Sequence, residues 1–126
     1  MKFGIIGYGK MGEIRHEAVK KTGIGEVVAI YGFGPDPVPE ELRVDSVDAI
    51  LNDPTIEAVF ICCVNSLNQE MTIRALKAGK HILCEKPPAF NAAGVEEIRK
   101  VEAQANKVLM YGFNHRHHGA AVKMRQ

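Results

Sequence analysis

The chain has 126 residues, 46% of them hydrophobic and 25% charged, with a formal net charge of +1. This length suits one compact domain that buries roughly two-thirds of its unfolded surface. The near-neutral charge argues against nucleic-acid binding, and the hydrophobic content excludes a disordered chain. No long apolar run opens the sequence, so we predict neither a secretory signal nor a membrane span and expect a cytoplasmic protein.

Short β-rich runs alternate with amphipathic stretches along the whole chain. The central runs are apolar on both faces, as is typical of strands covered by helices on both sides. This pattern predicts an α/β fold, a doubly wound parallel sheet of the Rossmann type. The predicted strands are residues 2–6, 26–31, 58–63, 81–84 and 107–111.

Capping residues mark the ends of the predicted helices. Gly23 and Gly79 follow two helices at the position where a left-handed C-cap favours glycine. Ser46 or Asp45 is the predicted N-cap of a short helix, and Asn91 that of a helix ending near residue 106. The helix of the first crossover has an apolar face formed by Met11, Ile14, Ala18 and Val19.

Two regions break the alternation. Residues 32–39 contain two glycines and three prolines, so we predict a loop there, with at most a weak strand near Arg43 and Val44. Residues 120–126 are good helix formers without a stop signal. We therefore expect a Rossmann domain over residues 1–118, with residues 119–126 beginning a helix that leads to a substrate domain absent from this chain.

The first strand runs into a glycine turn with the pattern G-x-G-x-x-G at Gly7, Gly9 and Gly12. In this pattern the first glycine permits a tight turn, the second lets a pyrophosphate approach the backbone, and the third lets helix and strand pack closely. A glycine turn without a ligand is the alternative. The other turn residues predicted to line a dinucleotide site are Tyr8, Lys10 and Met11.

The end of the second strand bears on the choice between NAD and NADP. A carboxylate about 20 residues after the turn usually binds the adenine ribose. Here Gly32 follows Tyr31 at that position, and the nearest acid, Asp36, lies in the predicted loop. The missing acid slightly favours NADP over NAD, although Arg43 is the only nearby basic residue that could attract a 2′-phosphate.

The carboxyl ends of the other strands carry polar residues, and in open parallel sheets ligands bind at that edge. Glu85 and Lys86 follow the fourth strand. Pro87 favours an extended Lys86, which projects the ammonium past the rim of the sheet. On this geometry alone, a solvent-exposed lysine without a function is an equal alternative.

Histidines and cysteines give no metal prediction. Cys62 and Cys63 are adjacent on a predicted strand and point to opposite faces, so we expect them and Cys84 to be buried, reduced thiols. The His-rich tract at residues 115–118 has poor spacing for a tetrahedral site, which favours cleft lining or interdomain packing.

Four segments together resemble the N-terminal half of the glucose-fructose oxidoreductase, inositol dehydrogenase and rhizopine catabolism (Gfo/Idh/MocA) family. They are residues 7–12, 59–65, 78–87 and 112–116, and the resemblance covers essentially the whole chain. The stretch A-G-K-H-I-L-C-E-K-P at 78–87 is its most specific part. The resemblance implies an NAD(P)-dependent oxidoreductase that acts on a sugar, nucleotide-sugar or polyol by hydride transfer, with a homo-oligomer possible.

The resemblance also implies roles for individual residues. Lys86 matches the family's active-site lysine, and Glu85 matches a residue near the nicotinamide ribose. Val64 and Asn68 depart from the family's usual proline and histidine, and His117 from an aromatic residue. The further positions that it implies in the dinucleotide cleft are Cys63, Val64, Asn65, Asn68, Asn114 and Arg116.

Two other functional classes stay open on the sequence. One is a glycosidase that uses bound NAD within each turnover, and the other is a regulatory protein that binds a dinucleotide without turnover. In the leading interpretation this chain alone is inactive, because the residues that recognise the substrate lie outside it. We expect no nucleic-acid partner, no membrane partner and no metal.

Overall fold

The computed structural model describes residues 1–113 and 119–125. Five parallel strands form one sheet in the order β2-β1-β3-β4-β5, which confirms the predicted fold class. Two predicted strands are shorter than expected: β3 ends before Cys62, and β5 begins after Val108, whose N–H bonds the ring of His81 at 3.0 Å. The strands are β1 (Lys2–Ile6), β2 (Glu26–Tyr31), β3 (Ala58–Ile61), β4 (His81–Cys84) and β5 (Leu109–Tyr111).

The helices have the caps that the sequence indicates. The Ser46 hydroxyl accepts a hydrogen bond from Ala49 N at 3.1 Å, and the Asn91 side chain accepts one from Gly94 N at 2.8 Å. Gly23 has φ = 65° and caps the first helix. The helices are α1 (Lys10–Thr22), α2 (Val47–Leu51), α3 (Asn68–Lys77), α4 (Ala92–Ala105) and α5 (Gly119–Arg125).

Apolar residues on both faces of the sheet form the core. On one face, α2, α3 and α4 bury Ile50, Leu76 and Ile98 against the strands. On the other face, α1 buries Val19 beside Ile5. This two-sided burial explains why the central strands are apolar on both faces.

The predicted apolar face of α1 was partly wrong. Ile14 is 44% exposed, and the residues that α1 buries are Gly12, His16 and Val19. Gly12 lies so close to the Gly7 carbonyl that an added Cβ would collide with it. This contact fixes the rotation of α1 about its axis. The face of α1 that contains Gly12 packs on the sheet, and Ile14 faces away from it.

The crossover after β2 contains no α-helix until α2. It forms a loop and one 3-10 turn, and Arg43 then makes a single parallel bridge to Ile30 at the edge of β2. The predicted loop and weak strand are thus confirmed. Because the chain next crosses to β3 on the other side of β1, the order of strands reverses between β1 and β3, where open α/β sheets bind ligands.

Candidate functional site at the carboxyl edge of the sheet

Two glycines of the turn after β1 are required by the backbone. Gly7 has φ = 94°, and an added Cβ would lie 2.5 Å from the carbonyl oxygen of Cys62. Its N–H donates to Tyr31 O at 2.7 Å, which ties the turn to the end of β2. Gly12 packs against the Gly7 carbonyl. These glycines bring three neighbouring chain segments together at the sheet edge.

Gly9 differs from both because it faces open space. No atom lies within 4 Å of the position that its Cβ would take. Gly9 is also the N-cap of α1, with no side-chain hydrogen bond to the free N–H groups of the first turn. Those groups and the helix dipole provide a place where an anion can approach the backbone.

The turn forms one wall of a crevice with two connected parts. The first part is a cleft of about 430 Å³ that includes Gly9, Phe33 and Asp36, and the second is a cleft of about 270 Å³ that includes Glu85 and Lys86. They adjoin each other, because Met11, Cys62 and Cys63 line both.

The structure places most of the predicted site residues along this crevice. Lys86 is exposed at its rim, and its peptide bond to Pro87 is cis. Two residues of the turn do not line the crevice: Gly12 is buried, and the Tyr8 side chain is buried with its hydroxyl 2.7 Å from His16 Nδ1, while the Tyr8 backbone N–H donates to Asp36. The predicted residues that line the crevice are Gly7, Gly9, Lys10, Met11, Cys63, Val64, Asn65, Glu85 and Lys86.

An ion pair that the sequence did not reveal holds Glu85. Arg15 on α1 donates from Nε to Glu85 Oε1 at 2.8 Å, and its Nη2 lies 2.7 Å from the same oxygen. Both side chains are largely buried, with 16% and 13% exposed. Gly112 leaves room for the pair, since its Cβ would lie 2.8 Å from Glu85 Oε2. The two partners are 70 residues apart, so no local pattern could have linked them.

Asn68 does not line the crevice, but it bonds the backbone next to Lys86. Its side chain is fully buried, and Nδ2 donates to Glu85 O at 3.0 Å and to Pro87 O at 2.8 Å. Its Oδ1 lies 3.7 Å from the Cys63 thiol. Asn68 therefore fixes the backbone on both sides of Lys86, and it has no exposed surface with which to contact a cofactor.

Replacing Asn68 with alanine is expected to lower the free energy of unfolding by about 2–4 kcal/mol, because two partly buried carbonyls lose the Asn68 amide as donor and the fully buried side chain leaves a cavity. Urea denaturation of the chain measures this. The matched control is Asn65→Ala, which removes an exposed amide three residues away and should change stability by less than about 0.5 kcal/mol. Equal, small losses for both variants would contradict the bracing role of Asn68.

The cysteines are free thiols, as predicted, but only Cys84 is buried; Cys62 and Cys63 are partly exposed at the crevice wall. Burial raises the pKa of Cys62 to about 12 and that of Cys63 to about 11. Both are therefore neutral at physiological pH, and they present weakly polar sulfur to the crevice instead of a nucleophile.

A carboxylate lies beside the end of β2, where the sequence seemed to lack one. Asp36 Oδ2 accepts hydrogen bonds from Tyr8 N at 3.1 Å and Phe33 N at 2.9 Å. The slight preference for NADP rested on the absence of an acid at Gly32, and Asp36 brings a carboxylate next to that position. Arg43 is the nearby basic residue that could attract a 2′-phosphate. Its guanidinium contacts Val38 O at 3.5 Å and the Glu40 carboxylate at 3.6 Å.

Part of the prediction lies outside the described residues. This applies to Asn114, to Arg116 and to the His-rich tract at 115–118. Across residues 1–113 and 119–125, the structure contains no group of three His, Cys, Asp or Glu side chains placed to hold a metal ion. None of the helices in the same ranges is both long and apolar enough to cross a membrane.

Comparison with known families decides the classification. The model of the Gfo/Idh/MocA family, described as an oxidoreductase family with an NAD-binding Rossmann fold, matches residues 1–113. The chain belongs to this family. The resemblance inferred from the four sequence segments is thereby confirmed.

Individual relatives agree with this classification. A myo-inositol 2-dehydrogenase of Thermotoga maritima is 32% identical over 123 residues, covering 92% of this chain and 37% of the relative. A 1,5-anhydro-D-fructose reductase of Ensifer adhaerens is 40% identical over 79 residues, covering 63% of this chain and 23% of the relative.

A solved structure gives the same result for the fold. The biliverdin reductase of a Synechocystis species, in complex with biliverdin and NADP+, superposes with a TM-score of 0.90 at 25% identity. The match covers 99% of this chain and 42% of the reductase. The chain thus spans less than half the length of each of these relatives.

Proposed function

We propose that this chain is the dinucleotide-binding domain of an NAD(P)-dependent oxidoreductase that transfers hydride to or from a hydroxyl-bearing carbon of a sugar or polyol. The observation that carries the proposal is the empty space at Gly9, which opens the first turn of α1 to the crevice that continues to Lys86. A side chain at this position would fill the space that a pyrophosphate needs, so glycine here fits the cofactor.

The residues divide the binding between the two ends of the crevice. At the glycine turn, the N–H groups at the start of α1 would hold the pyrophosphate with the help of the helix dipole. Toward β4, Asn65, Glu85 and Gly112 line the part that would hold the nicotinamide ribose. Arg15 keeps the Glu85 carboxylate in one position, which reduces the ordering cost of binding.

Lys86 is the proposed catalytic residue. The nicotinamide ring, when bound, supplies or accepts the hydride. Oxidation of an alcohol also releases the hydroxyl proton, so a donor and acceptor at that oxygen lowers the barrier in both directions. An ammonium there stabilises the developing negative charge. Within the described part of the chain, Lys86 makes no hydrogen bond or ion pair and is open toward the crevice.

The names of two relatives support the proposed substrate class. One is named for the oxidation of inositol and another for the reduction of an anhydro sugar, so both act at a hydroxyl or carbonyl carbon of a cyclic polyhydroxy compound. We extend this chemistry to the present protein. Cofactor binding is assigned to residues 1–118, and substrate recognition to residues outside this chain.

Calorimetric titration of the chain with NADH tests the proposed function. We expect saturable binding of one NADH per chain with a dissociation constant in the micromolar range, about −8 kcal/mol. The absence of saturable binding at millimolar NADH would contradict the proposal. Adenosine alone is the control, because it lacks the pyrophosphate for which Gly9 leaves room.

A further inference from the structure

The segment that follows β4 has few hydrogen-bond donors of its own. Glu85 N donates to Ile61 O at 2.9 Å, which continues the pairing of β4 with β3 one residue past the end of the strand. Pro87 and Pro88 follow Lys86, and neither has a backbone N–H. The chain therefore leaves the sheet at Lys86, and the carbonyls around it need donors from another part of the fold.

One buried amide supplies these donors. Asn68 Nδ2 donates to Glu85 O at 3.0 Å and to Pro87 O at 2.8 Å, so its two N–H groups bond the carbonyls on the two sides of Lys86. The reverse orientation would place Oδ1 against two carbonyl oxygens, which decides the orientation of the amide. Asn68 is the first residue of α3 and is fully buried. The start of α3 thus holds the backbone before and after Lys86.

Two thiols extend this network. Cys63 Sγ lies 3.7 Å from Asn68 Oδ1, and Cys84 Sγ lies 3.3 Å from Glu85 O. Burial raises the pKa of Cys63 to about 11 and that of Cys84 to about 12, so both keep their protons at physiological pH. Cys63 can therefore donate to the amide oxygen of Asn68, and Cys84 to the carbonyl that Asn68 also bonds. The network gives two cysteines without a chemical role a place at the site.

We propose that Asn68 is a positioning residue for hydride transfer, because it holds the backbone on both sides of Lys86 and so directs the lysine side chain into the crevice. This inference rests on the proposed function, and it adds a residue that touches neither substrate nor cofactor. Within residues 1–113 and 119–125, Lys86 has no hydrogen bond or ion pair of its own side chain. Its direction is therefore set by the backbone that Asn68 bonds.

The Asn68→Leu variant separates the two hydrogen bonds from the volume of the side chain. Leucine fills about the same space and donates nothing. A displacement of about 1 Å at a reacting group can lower a rate about 10²-fold, so we expect hydride transfer to fall about 10–100-fold. The affinity for NADH should stay within about twofold, because Asn68 is fully buried and Arg15 still holds the Glu85 side chain.

A double-mutant cycle with Lys86→Met tests whether Asn68 acts through the lysine. It uses a turnover-competent protein that contains this domain, with single-turnover absorbance at the NADH band as the rate and NADH titration as the affinity. In the Lys86→Met background, Asn68→Leu should cause less than about twofold further loss, since the side chain that it positions is gone. A merely structural role of Asn68 would give the same fold loss in both backgrounds.

Gln69→Leu is the matched control. It removes the amide of the next residue on α3, which donates to the exposed Glu97 carboxylate at 2.8 Å and lies outside the lining of the crevice. The full rate should remain. In the 126-residue chain, backbone ¹⁵N relaxation gives a second measurement: Lys86 should become more mobile in Asn68→Leu, whereas Gly9 should not.

The outcomes separate this inference from the proposed function. A full rate in Asn68→Leu, or equal fold losses in the two backgrounds, would overturn the inference and leave the dinucleotide site standing. A loss of NADH affinity as large as the loss of rate would also overturn it. An unchanged rate in Lys86→Met would reject the catalytic lysine and the inference together. Asn68→Ala repeats the cycle if leucine does not fit, and circular dichroism shows that each variant is folded.

Discussion

The Gly9→Ala variant is expected to fold normally and to lose dinucleotide binding. The backbone at Gly9 has φ = −77° and ψ = −158°, which alanine can adopt, and no atom lies near the new methyl group. Stability should change by less than about 1 kcal/mol. The methyl group would keep the pyrophosphate away from the N–H groups of α1. Since a hydrogen bond to a charged group contributes about 1.5–3 kcal/mol, the affinity for NADH should fall about 10–100-fold.

Gly7→Ala is the contrasting control within the same turn. Its Cβ would meet the Cys62 carbonyl at 2.5 Å in a backbone conformation with φ = 94°, so it should lose at least about 2 kcal/mol of stability. Thermal unfolding and NADH titration of both variants make the comparison. Full NADH affinity in a folded Gly9→Ala protein would show that the pyrophosphate does not approach this turn.

The Lys86→Met variant is expected to reduce hydride transfer by about 10²–10⁴-fold, because the reacting oxygen loses its proton donor and acceptor. The affinity for NADH should stay nearly unchanged, since Lys86 lies at the rim of the crevice, at the end opposite the glycine turn. Single-turnover absorbance at the NADH band in a turnover-competent protein that contains this domain measures the rate. Titration of the same protein measures the affinity.

Lys77→Met is the matched control, because it removes another exposed ammonium, from the end of α3 and outside the lining of the crevice. It should change neither quantity. An equal loss of rate and of NADH affinity in Lys86→Met would indicate a cofactor-binding lysine instead of a catalytic one. An unchanged rate would support the alternative in which Lys86 is an ordinary surface residue.

The fold was largely predictable because its determinants are local. Apolar runs, the glycine turn and the caps at Ser46 and Asn91 each act within a few residues, and all appear where the sequence indicates. The rotation of α1 was predicted less well. Its apolar residues alone favoured Ile14 as a buried position, whereas the contact between Gly12 and Gly7 decides which face turns inward.

The sequence predicted which strand ends form the site, but it did not predict the contacts between the side chains there. Strand alternation placed Gly9 and Lys86 at one edge. The residues that hold the site residues in place are distant in sequence. Arg15 bonds Glu85, which is 70 residues away, and the Asp36 carboxylate accepts from Tyr8 N, which is 28 residues away. Asn68 was assigned to the cleft by resemblance, and only its burial shows that it braces the backbone around Lys86.

The most direct test of the central claim is a titration of the isotopically labelled chain with NADH, followed through backbone amide NMR signals. If the pyrophosphate binds at the start of α1, the largest shifts should fall on Gly9, Lys10 and Met11, with smaller ones at Asn65 and Glu85 along the crevice. Shifts confined to other surfaces, or no saturable shift at all, would contradict the assignment of this edge of the sheet as a dinucleotide site.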